Sequence, residues 1–316
     1  MILVNGLEIN MNIPKNSYIV FQAYGNIGIL QECAFALLTL SRQHTYEELK
    51  DLEIWIYTDK PEFFQSFKGC SLNLNYRGIN PVLIQQWRGA INFVHRVKIE
   101  VLRDFVKDKE GQVLYLDTDV YIAQPISEVF NQVAEGNLYM HIMEGLIHET
   151  DNVVMQKLSR FIKKNKPISS NEKIIGIPEH TAMWNAGLLG FHTKFNYLLE
   201  EVLSFTDTVY PSFPKHVVEQ FAFSLYFQQA MPMKTAHTRV FHYWNLKEIR
   251  FILNSFFKYF EDQNWDILAH YSRLIQLPDA MQQKVNFLQN RTALEKFMKK
   301  HWKPQEPRWD LLVQQL

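Results

Sequence analysis

Residues 113–122 of this sequence read VLYLDTDVYI. An apolar run of strand-forming residues meets Asp117 and Asp119, and β-branched residues then resume. In an extended chain, side chains two residues apart point to the same side, so both carboxylates should project together while Thr118 turns away. Adjacent carboxylates repel each other unless a cation lies between them. The pair therefore predicts a Mg²⁺ or Mn²⁺ site that also binds phosphate oxygens; the alternative is a strand end whose aspartates cap a turn.

The rest of the chain alternates between short apolar runs and helical periodicity. Apolar runs at residues 18–21, 53–57 and 138–143 and the stretch LNLNY at residues 72–76 predict strands, and the patterns at residues 30–42 and 91–106 predict helices. This alternation is typical of an α/β domain with an open, mostly parallel sheet and helices on both faces. Ligands of such sheets bind beyond the carboxyl ends of the strands. Tyr24, Asp59 and Asp117 follow three of these strands, so we expect their segments to converge.

Composition narrows the classes of function. Lys and Arg total 33, as do Asp and Glu, so bulk charge gives no sign of a nucleic-acid surface. Cys33 and Cys70 lack metal-ligand spacing and build no disulfide framework, which favours a reducing cytosol. The N-terminus lacks the basic segment of a signal peptide, and no apolar run approaches the ~20 residues that span a bilayer. We therefore expect a soluble, cytoplasmic protein.

Phosphate-binding glycine loops are missing from the sequence. It contains neither Gly-x-Gly-x-x-Gly nor Gly-x-x-x-x-Gly-Lys-Ser/Thr, so neither dinucleotide nor P-loop phosphate binding is supported. A phosphate group would then have to be held by a metal ion and side chains. This expectation agrees with a metal site at the two aspartates.

The segment LYLDTDV, residues 114–120, resembles the Asp-x-Asp strand of nucleotide-sugar glycosyltransferases with the GT-A fold. The nearest variant is that of the glycogenin and lipopolysaccharide galactosyltransferase family, a family 8-like group. Three further segments are similar to motifs of this family and follow in the same order: Asn-Ala-Gly at residues 185–187, an acid and Gln at residues 219–220, and His-Tyr at residues 242–243. The resemblance implies a single GT-A, Rossmann-like domain over residues 1–247.

The resemblance also implies roles for individual residues. Asp117, Asp119 and His242 would hold Mn²⁺ or Mg²⁺ on the diphosphate of a nucleotide-diphosphate sugar, with UDP as the expected nucleotide. The residues expected at the donor sugar, as the catalytic group, are Glu219, Gln220 and Asn185. The other expected donor contacts are Ala23, Tyr24, Thr118, Gly187 and one of two competing cations, Arg96 or Lys98.

Each of these segments also has a purely structural interpretation. Glu219 would stabilise a helix N-terminus, Gly187 would serve a tight loop-to-strand junction, and His242 would be a buried residue of an aromatic strand. The sequence departs from the family pattern at two places. Its acid is Glu where the family has Asp, and Asn245 replaces the Gly of the histidine motif, with Lys247 one place early. The resemblance therefore does not carry a phosphate-binding role to Lys247.

Two regions lie outside these motifs. Residues 157–166 are rich in Lys and Arg and predict an exposed helix followed by a mobile loop, with no function that can be read from them. Helical patterns at residues 248–260 and 280–301 predict a C-terminal helical extension, residues 248–316, packed on the first domain. Its aromatic and Lys-rich composition alternatively suits a peripheral membrane contact near a lipid-linked acceptor. Packing is the favoured interpretation.

Together the motifs predict a hexosyltransferase that moves a sugar from a nucleotide-diphosphate sugar to a glycan or lipid-linked acceptor. The resemblance implies retention of anomeric configuration; an inverting enzyme would need Glu144 or Glu219 to take the acceptor proton. A sugar-nucleotide nucleotidyltransferase would need a glycine-rich, basic N-terminal loop, and a glycoside hydrolase would need two flanking carboxylates without a shared metal. The third alternative is a catalytically inactive scaffold that binds sugar nucleotides or glycans and keeps the aspartates as turn residues.

Overall fold

The computed structural model describes residues 2–4, 7–9, 12–166, 168–170, 173–292 and 301–315, with the single positions 295 and 298. Its strands are β1 (Ile2–Val4), β2 (Leu7–Ile9), β3 (Ser17–Gln22), β4 (Leu52–Thr58), β5 (Asn73–Gly78), β6 (Gln112–Leu116), β7 (Val120–Ile122), β8 (Leu138–Met140), β9 (Met143–Leu146), β10 (Ile168–Ser170), β11 (Lys173–Ile175), β12 (Ala182–Trp184), β13 (Leu188–His192), β14 (Met233–Thr235) and β15 (Val240–His242).

Its helices are α1 (Ile27–Gln43), α2 (Tyr46–Leu49), α3 (Pro61–Gln65), α4 (Pro81–Arg88), α5 (Arg96–Phe105), α6 (Ser127–Ala134), α7 (Val153–Lys164), α8 (Tyr197–Val209), α9 (Val217–Ala230), α10 (Ile249–Tyr259), α11 (Trp265–Tyr271), α12 (Leu277–Asn290) and α13 (Trp309–Val313). Short 3₁₀ helices cover Thr193–Phe195 and Ser272–Leu274.

A seven-stranded sheet lies at the centre, with the strand order β14-β8-β13-β6-β3-β4-β5. Within this sheet β13 is antiparallel to both of its neighbours, and all other neighbouring strands pair in parallel. The register places Phe21 of β3 opposite Leu116 of β6 and Ile56 of β4. Strands β3, β4 and β6 therefore end at the same edge. The predicted α/β architecture with a mostly parallel sheet is confirmed.

Apolar side chains cover both faces of the sheet, as the continuous apolar runs require. Because successive side chains of a strand point to opposite faces, Leu114 of β6 belongs to one hydrophobic core and Tyr115 to the other. The first core is completed by helices α1, α10 and α11, and the second by α5, α8 and α9. Both cores support the edge at which β3 and β6 end.

Two short ribbons flank this edge. Strand β7 pairs antiparallel with β15, and the register sets His242 opposite Val120. Strand β9 pairs antiparallel with β12, which leads through residues 185–187 into β13. The ribbons therefore bring His242 beside Asp119 and Asn185 beside the end of β6.

The structure corrects several predicted element boundaries. Strand β6 ends at Leu116 and β7 begins at Val120, so the two aspartates lie in a bend and not in one extended strand; the bend arises because β7 leaves the central sheet to pair with β15. The helix predicted over residues 91–106 begins only at Arg96, since Asn92 adopts a φ of 50°. The apolar run at residues 138–143 is divided between β8 and β9, and the predicted loop after α7 includes strand β10.

The C-terminal helices share a core with the sheet. Phe256 of α10 and Trp265 of α11 are fully buried in the same cluster as α1. The predicted helix over residues 280–301 corresponds in part to α12, and most of residues 293–300 lie outside the described positions. No helix in the described part of the chain has the length and apolar character to cross a bilayer. The boundary at residue 247 stays a prediction.

Candidate active site

A cavity of about 900 Å³ lies at the carboxyl edge of β3 and β6. Tyr24 follows β3 and Asp117 follows β6, and both line the cavity. Other parts of its wall come from the last turn of α4, α5, the start of α7, the first turns of α9, strand β9, the link between β12 and β13, and the segment from β15 to α10. The volume is in the range of ligand pockets, and the position is the one where open α/β sheets bind ligands.

Asp117 is held at the end of β6 by contacts from three directions. Its N–H donates to the carbonyl of Gly187 at 2.9 Å, which ties the residue to the segment before β13. The hydroxyl of Tyr115 donates to Oδ1 at 3.1 Å. The ammonium of Lys98 lies 3.1 Å from the same oxygen. The carboxylate of Asp117 is therefore fixed and charge-compensated on one side.

Asp119 is the more buried of the two carboxylates. Its Oδ1 lies 3.1 Å from Nε2 of His242, and its Oδ2 accepts a hydrogen bond from the ammonium of Lys247. Burial alone would raise the pKa of Asp119, but His242 and Lys247 outweigh burial and hold the pKa well below its usual range. The Asp119 side chain is therefore a carboxylate at neutral pH.

One backbone amide fixes the tautomer of His242. The N–H of Gly187 donates to Asn185 Oδ1 at 3.0 Å, so this oxygen is an acceptor. His242 Nδ1 lies 2.8 Å from the same oxygen and must therefore carry a hydrogen and donate to it. In the neutral ring, Nε2 then presents its lone pair to Asp119 Oδ1, and also lies 3.9 Å from Asp117 Oδ2. Such facing acceptors require a proton or a metal cation between them.

These three side chains fit a divalent cation. One ligand atom each from Asp117, Asp119 and His242 lies within 4.8 Å of the others, and no second such group occurs among the residues that the structure describes. Two carboxylates and one imidazole are ligands that suit Mn²⁺, while Mg²⁺ prefers oxygen. The hydrogen bond from Nδ1 to Asn185 is the type of contact that orients a metal-bound histidine.

Gly187 makes room for the imidazole. A Cβ atom added at Gly187 would lie 2.1 Å from Nδ1 of His242 and 2.4 Å from its Cε1. Real Cβ atoms essentially never approach a neighbour this closely. The glycine expected as a donor contact therefore has a structural reason of its own, since any side chain at this position would displace His242.

Lys98 and Glu219 form a buried pair in the wall of the cavity. The ammonium of Lys98 donates to the carbonyl of Ala186 at 3.0 Å and lies 3.4 Å from Glu219 Oε1. Burial would lower the pKa of Lys98, but Asp117 and Glu219 outweigh it and raise this pKa. Burial raises the pKa of Glu219 from 4.5 to about 7, against the lowering effect of Lys98. Glu219 can therefore exchange a proton near neutral pH.

Glu144 is clamped by two of the expected sugar contacts. Asn185 Nδ2 donates to Glu144 Oε1 at 3.0 Å, and Gln220 Nε2 donates to Oε2 at 2.9 Å. All three residues line the cavity. Asn185 and Gln220 thus connect three elements, α9, β9 and the β12–β13 link, around one carboxylate.

The loop after β3 reaches the site only in part. Tyr24 lines the cavity, and so does Thr118 from the bend after β6. Ala23 is fully buried and does not line the cavity, and its N–H donates to the carbonyl of Tyr57 at 2.9 Å. Asp59 receives the N–H of Gly25 at 3.0 Å and likewise does not line the cavity. The expected convergence therefore holds for Tyr24 and Asp117.

The structure brings only one of the two competing cations to the site. Lys98 lies between Asp117 and Glu219, as described above. Arg96 points away and pairs with Asp207 at 2.7 Å and with Glu100 at 2.8 Å. The two residues are only two positions apart in the sequence, but a two-residue step turns a helical side chain by about 200°. The choice depends on which face of α5 packs against the sheet.

Several lining residues carried no sequence signal. Arg88 lines the cavity from the last turn of α4, and its Nε is buried without a hydrogen-bond partner among the described residues. His95 and His216 lie with their ring centroids 6.4 Å apart, and burial, followed by Lys98, lowers the pKa of His95 to about 4. Trp244 lines the mouth and is 57% exposed. Isolated residues like these follow no spacing rule, so sequence reasoning could not find them.

Comparison with known proteins gives structural similarities at low identity. No family model matches the chain, and no curated protein matches its sequence. The chain is similar to mouse xyloside xylosyltransferase 1 in its apo form, with 12% identity and a TM-score of 0.47 over 71% of this chain and 85% of that one.

Two further structures are glycosyltransferases by name. The apo form of GlyE from Streptococcus pneumoniae TIGR4 has 14% identity and a TM-score of 0.47, over 83% of this chain and 65% of that one. The bifunctional glycosyltransferase WbbM has 11% identity and a TM-score of 0.44, over 72% of this chain and 40% of that one. This chain therefore spans under two thirds of GlyE and under half of WbbM. At this level of similarity, activity has to be argued from the site.

Proposed function

We propose that this protein is a metal-dependent glycosyltransferase that uses a nucleotide-diphosphate sugar, with UDP as the nucleotide. The observation that carries the proposal is the meeting of Asp117, Asp119 and His242 within 4.8 Å of one another, in a large cavity at the carboxyl edge of the sheet. His242 comes from a part of the sequence distant from the two aspartates, and its hydrogen bond from Nδ1 to Asn185 turns the lone pair of Nε2 toward the two carboxylates. Both facts support a cation site.

The first step of the proposal is donor binding. Asp117, Asp119 and His242 would hold Mn²⁺ or Mg²⁺, and the bound ion would supply a Lewis acid that neutralises charge on the leaving diphosphate. Lys247 is 52% exposed and bonds to Asp119, so its flexible side chain can turn to a phosphate oxygen. The proposal therefore assigns Lys247 a phosphate-binding role, which its shifted position in the sequence had left unsupported.

The second step is the orientation of the donor sugar. Glu219 and Lys98 form a buried pair whose members both reach the cavity wall. With a pKa of about 7, Glu219 is partly protonated at neutral pH and can donate or accept a hydrogen bond to a sugar hydroxyl. Asn185 and Gln220 hold Glu144 in one orientation. Retention, implied by the family resemblance, is part of the proposal, and Glu144 is the fixed carboxylate that inversion would require.

Two rival enzyme functions explain less of the site. A nucleotidyltransferase needs a glycine-rich, basic loop after the first strand, and residues 23–26 read AYGN. A glycoside hydrolase could use Glu144 and Glu219, which both line the cavity, but it needs no shared metal and would leave the group of Asp117, Asp119 and His242 without a role.

Calorimetric titration of UDP, GDP and their sugar conjugates, with Mn²⁺ and again with EDTA, tests the proposal. We expect UDP to bind only with metal, and Asp119→Asn to weaken this binding at least tenfold. Asp310→Asn is the matched control, since Asp310 is an exposed carboxylate paired with Arg308 and does not line the cavity. Absence of binding by every nucleotide in the presence of metal would refute the proposal.

A further inference from the structure

Arg88 is a cation of the cavity wall that has no counter-charge. The other Lys and Arg side chains that line the cavity each contact a carboxylate: Lys98 pairs with Asp117, Lys247 with Asp119 and Arg250 with Glu32. Among the described residues, no carboxylate forms an ion pair with Arg88, and its buried Nε has no hydrogen-bond partner. Because buried N–H groups are almost always paired in native proteins, Arg88 indicates a ligand that accepts hydrogen bonds.

The backbone at the end of α4 holds Arg88 in place. The carbonyl of Arg88 accepts a hydrogen bond from the N–H of Phe93 at 3.1 Å. The carbonyl of Trp87 accepts one from Arg96 Nη1 at 2.7 Å, and Arg96 is itself paired with Asp207. The last turn of α4 is thus fastened to the start of α5, and the guanidinium extends from a fixed backbone.

The wall that contains Arg88 also contains the proposed sugar contacts. His95 comes three residues before Lys98 at the start of α5, and His216 comes three residues before Glu219 at the start of α9. Residues three apart share a face of a helix, and all four line the cavity. The centroids of the two imidazole rings are 6.4 Å apart. The wall therefore continues from the Lys98–Glu219 pair to the two histidines, and Arg88 is bonded to the loop that leads into His95.

The charges at the proposed metal site already match a nucleotide-diphosphate sugar. The diphosphate of such a donor carries two negative charges, which a divalent cation would balance. Lys98 and Lys247 offset the two carboxylates of Asp117 and Asp119. The diphosphate therefore requires no further cation, and Arg88 remains available to another anionic group of the substrates.

We propose that Arg88 binds a sugar carboxylate, so that the donor or the acceptor of this enzyme is a uronic acid. This inference rests on the proposed glycosyltransferase function. A guanidinium binds a carboxylate through two parallel N–H···O hydrogen bonds, and the unpaired Nε of Arg88 is one of the donors that this geometry uses. A neutral sugar would leave the charge of Arg88 without a partner in the cavity.

Calorimetric titration in the presence of Mn²⁺ tests the inference with two matched pairs of donors and with UDP alone. The pairs are UDP-glucuronate with UDP-glucose, and UDP-galacturonate with UDP-galactose. The test variants are Arg88→Met, which removes the charge, and Arg88→Lys, which keeps the charge but not the paired donors. Arg160→Met is the control, since Arg160 is an exposed arginine that does not line the cavity and has no carboxylate partner in the described part of the chain.

For a carboxylate on the donor, the wild-type protein and the control should bind one UDP-uronate at least tenfold more tightly than its neutral counterpart, because hydrogen bonds between charged groups are strong. Arg88→Met should abolish this preference, and Arg88→Lys should keep part of it. UDP lacks the carboxylate, so all four proteins should bind UDP with affinities within twofold of one another.

A second titration detects a carboxylate on the acceptor. Methyl glucuronide, methyl galacturonide and their neutral counterparts, methyl glucoside and methyl galactoside, are titrated into protein saturated with Mn²⁺ and UDP. A preference for one of the uronides that Arg88→Met abolishes and Arg160→Met retains would assign the carboxylate to the acceptor.

Two results would overturn the inference and leave the proposed function standing, because both include metal-dependent binding of UDP by the wild-type protein. One is the absence of any preference for a carboxylate in both titrations. The other is a tenfold loss of affinity for UDP itself in Arg88→Met, which would show that Arg88 binds the nucleotide. A wild-type protein that does not bind UDP in the presence of metal would overturn the proposed function, and the inference with it.

Discussion

Replacing Gly187 by alanine should damage the proposed metal site of Asp117, Asp119 and His242, although none of these three residues is itself changed. The new Cβ would lie 2.1 Å from Nδ1 of His242, and ordinary contact begins near 3.4 Å, so the ring would have to move by about 1.3 Å. That movement would break the hydrogen bond from Nδ1 to Asn185 and pull Nε2 away from Asp119. The geometry of all three ligands would then be lost together.

The cost can be estimated from the contacts that change. Overpacking of a well-packed site costs about 1–3 kcal/mol, and loss of one neutral hydrogen bond about 1 kcal/mol. Together these costs make about 2–4 kcal/mol. For a chain of 316 residues this destabilisation lowers the melting temperature by roughly 3–6 °C. Loss of the contact that orients a histidine ligand typically lowers metal affinity about 10- to 100-fold.

Calorimetric titration with Mn²⁺ and thermal melts in EDTA measure the two effects separately. Gly78→Ala is a neutral control, because nothing lies within 4 Å of its added Cβ. Gly190→Ala is a control for the clash itself, since its Cβ would meet Leu114 at 2.8 Å and Tyr139 at 2.9 Å, within the sheet. Gly190→Ala should lower stability and leave Mn²⁺ affinity unchanged, whereas Gly187→Ala should lower both. A Gly187→Ala protein with Mn²⁺ affinity within twofold of wild type would refute the assignment of His242 as a ligand.

Four further substitutions test the charges around the site. Because the pKa of Glu219 is raised to about 7, the native state keeps a proton that the unfolded state releases, and the free energy of unfolding of the wild-type protein should fall as the pH rises from about 5 to 7. Glu219→Gln should flatten this pH dependence. At 1.36 kcal/mol per pKa unit the fall in the wild-type protein is about 3 kcal/mol. Urea melts at a series of pH values measure it, and the same pH dependence in both proteins would contradict the prediction. Lys98→Met should destabilise the protein by about 3–5 kcal/mol and abolish metal-dependent UDP binding. Arg96→Met should leave the UDP affinity measured by calorimetry unchanged. An equal loss of UDP affinity in the two variants would be inconsistent with the structure. Lys247→Met should tighten Mn²⁺ binding in the absence of nucleotide, because it removes the ammonium that competes for Asp119, and should weaken UDP binding; unchanged Mn²⁺ affinity would argue against that competition.

Apolar runs predicted the central strands because a strand buried on both faces must be apolar throughout, and this requirement is local. The placement of Asp117 after β6 follows from the same run. The division of residues 113–122 into two strands was not visible, since it depends on β15 as a partner more than 100 residues away.

Spacing along the sequence could not choose between Arg96 and Lys98. Both are cations on α5, and the face of α5 that packs on the sheet directs Lys98 to Asp117 and Arg96 to Asp207. The role of Gly187 was likewise hidden, because the atom that it makes room for belongs to His242.

By itself, the sequence determined the α/β architecture, because buried strands must be apolar throughout. It also indicated Asp117 and Asp119 as a carboxylate pair suited to a cation, whereas His242 entered as a third ligand only through the family resemblance. Only the tertiary structure decided which cation faces the site, that Asn185 fixes the tautomer of His242, and that Lys247 bonds to Asp119. These are contacts between elements distant in the chain. They depend on the packing of helices and ribbons around the edge of the sheet, and no local pattern of residues records that packing.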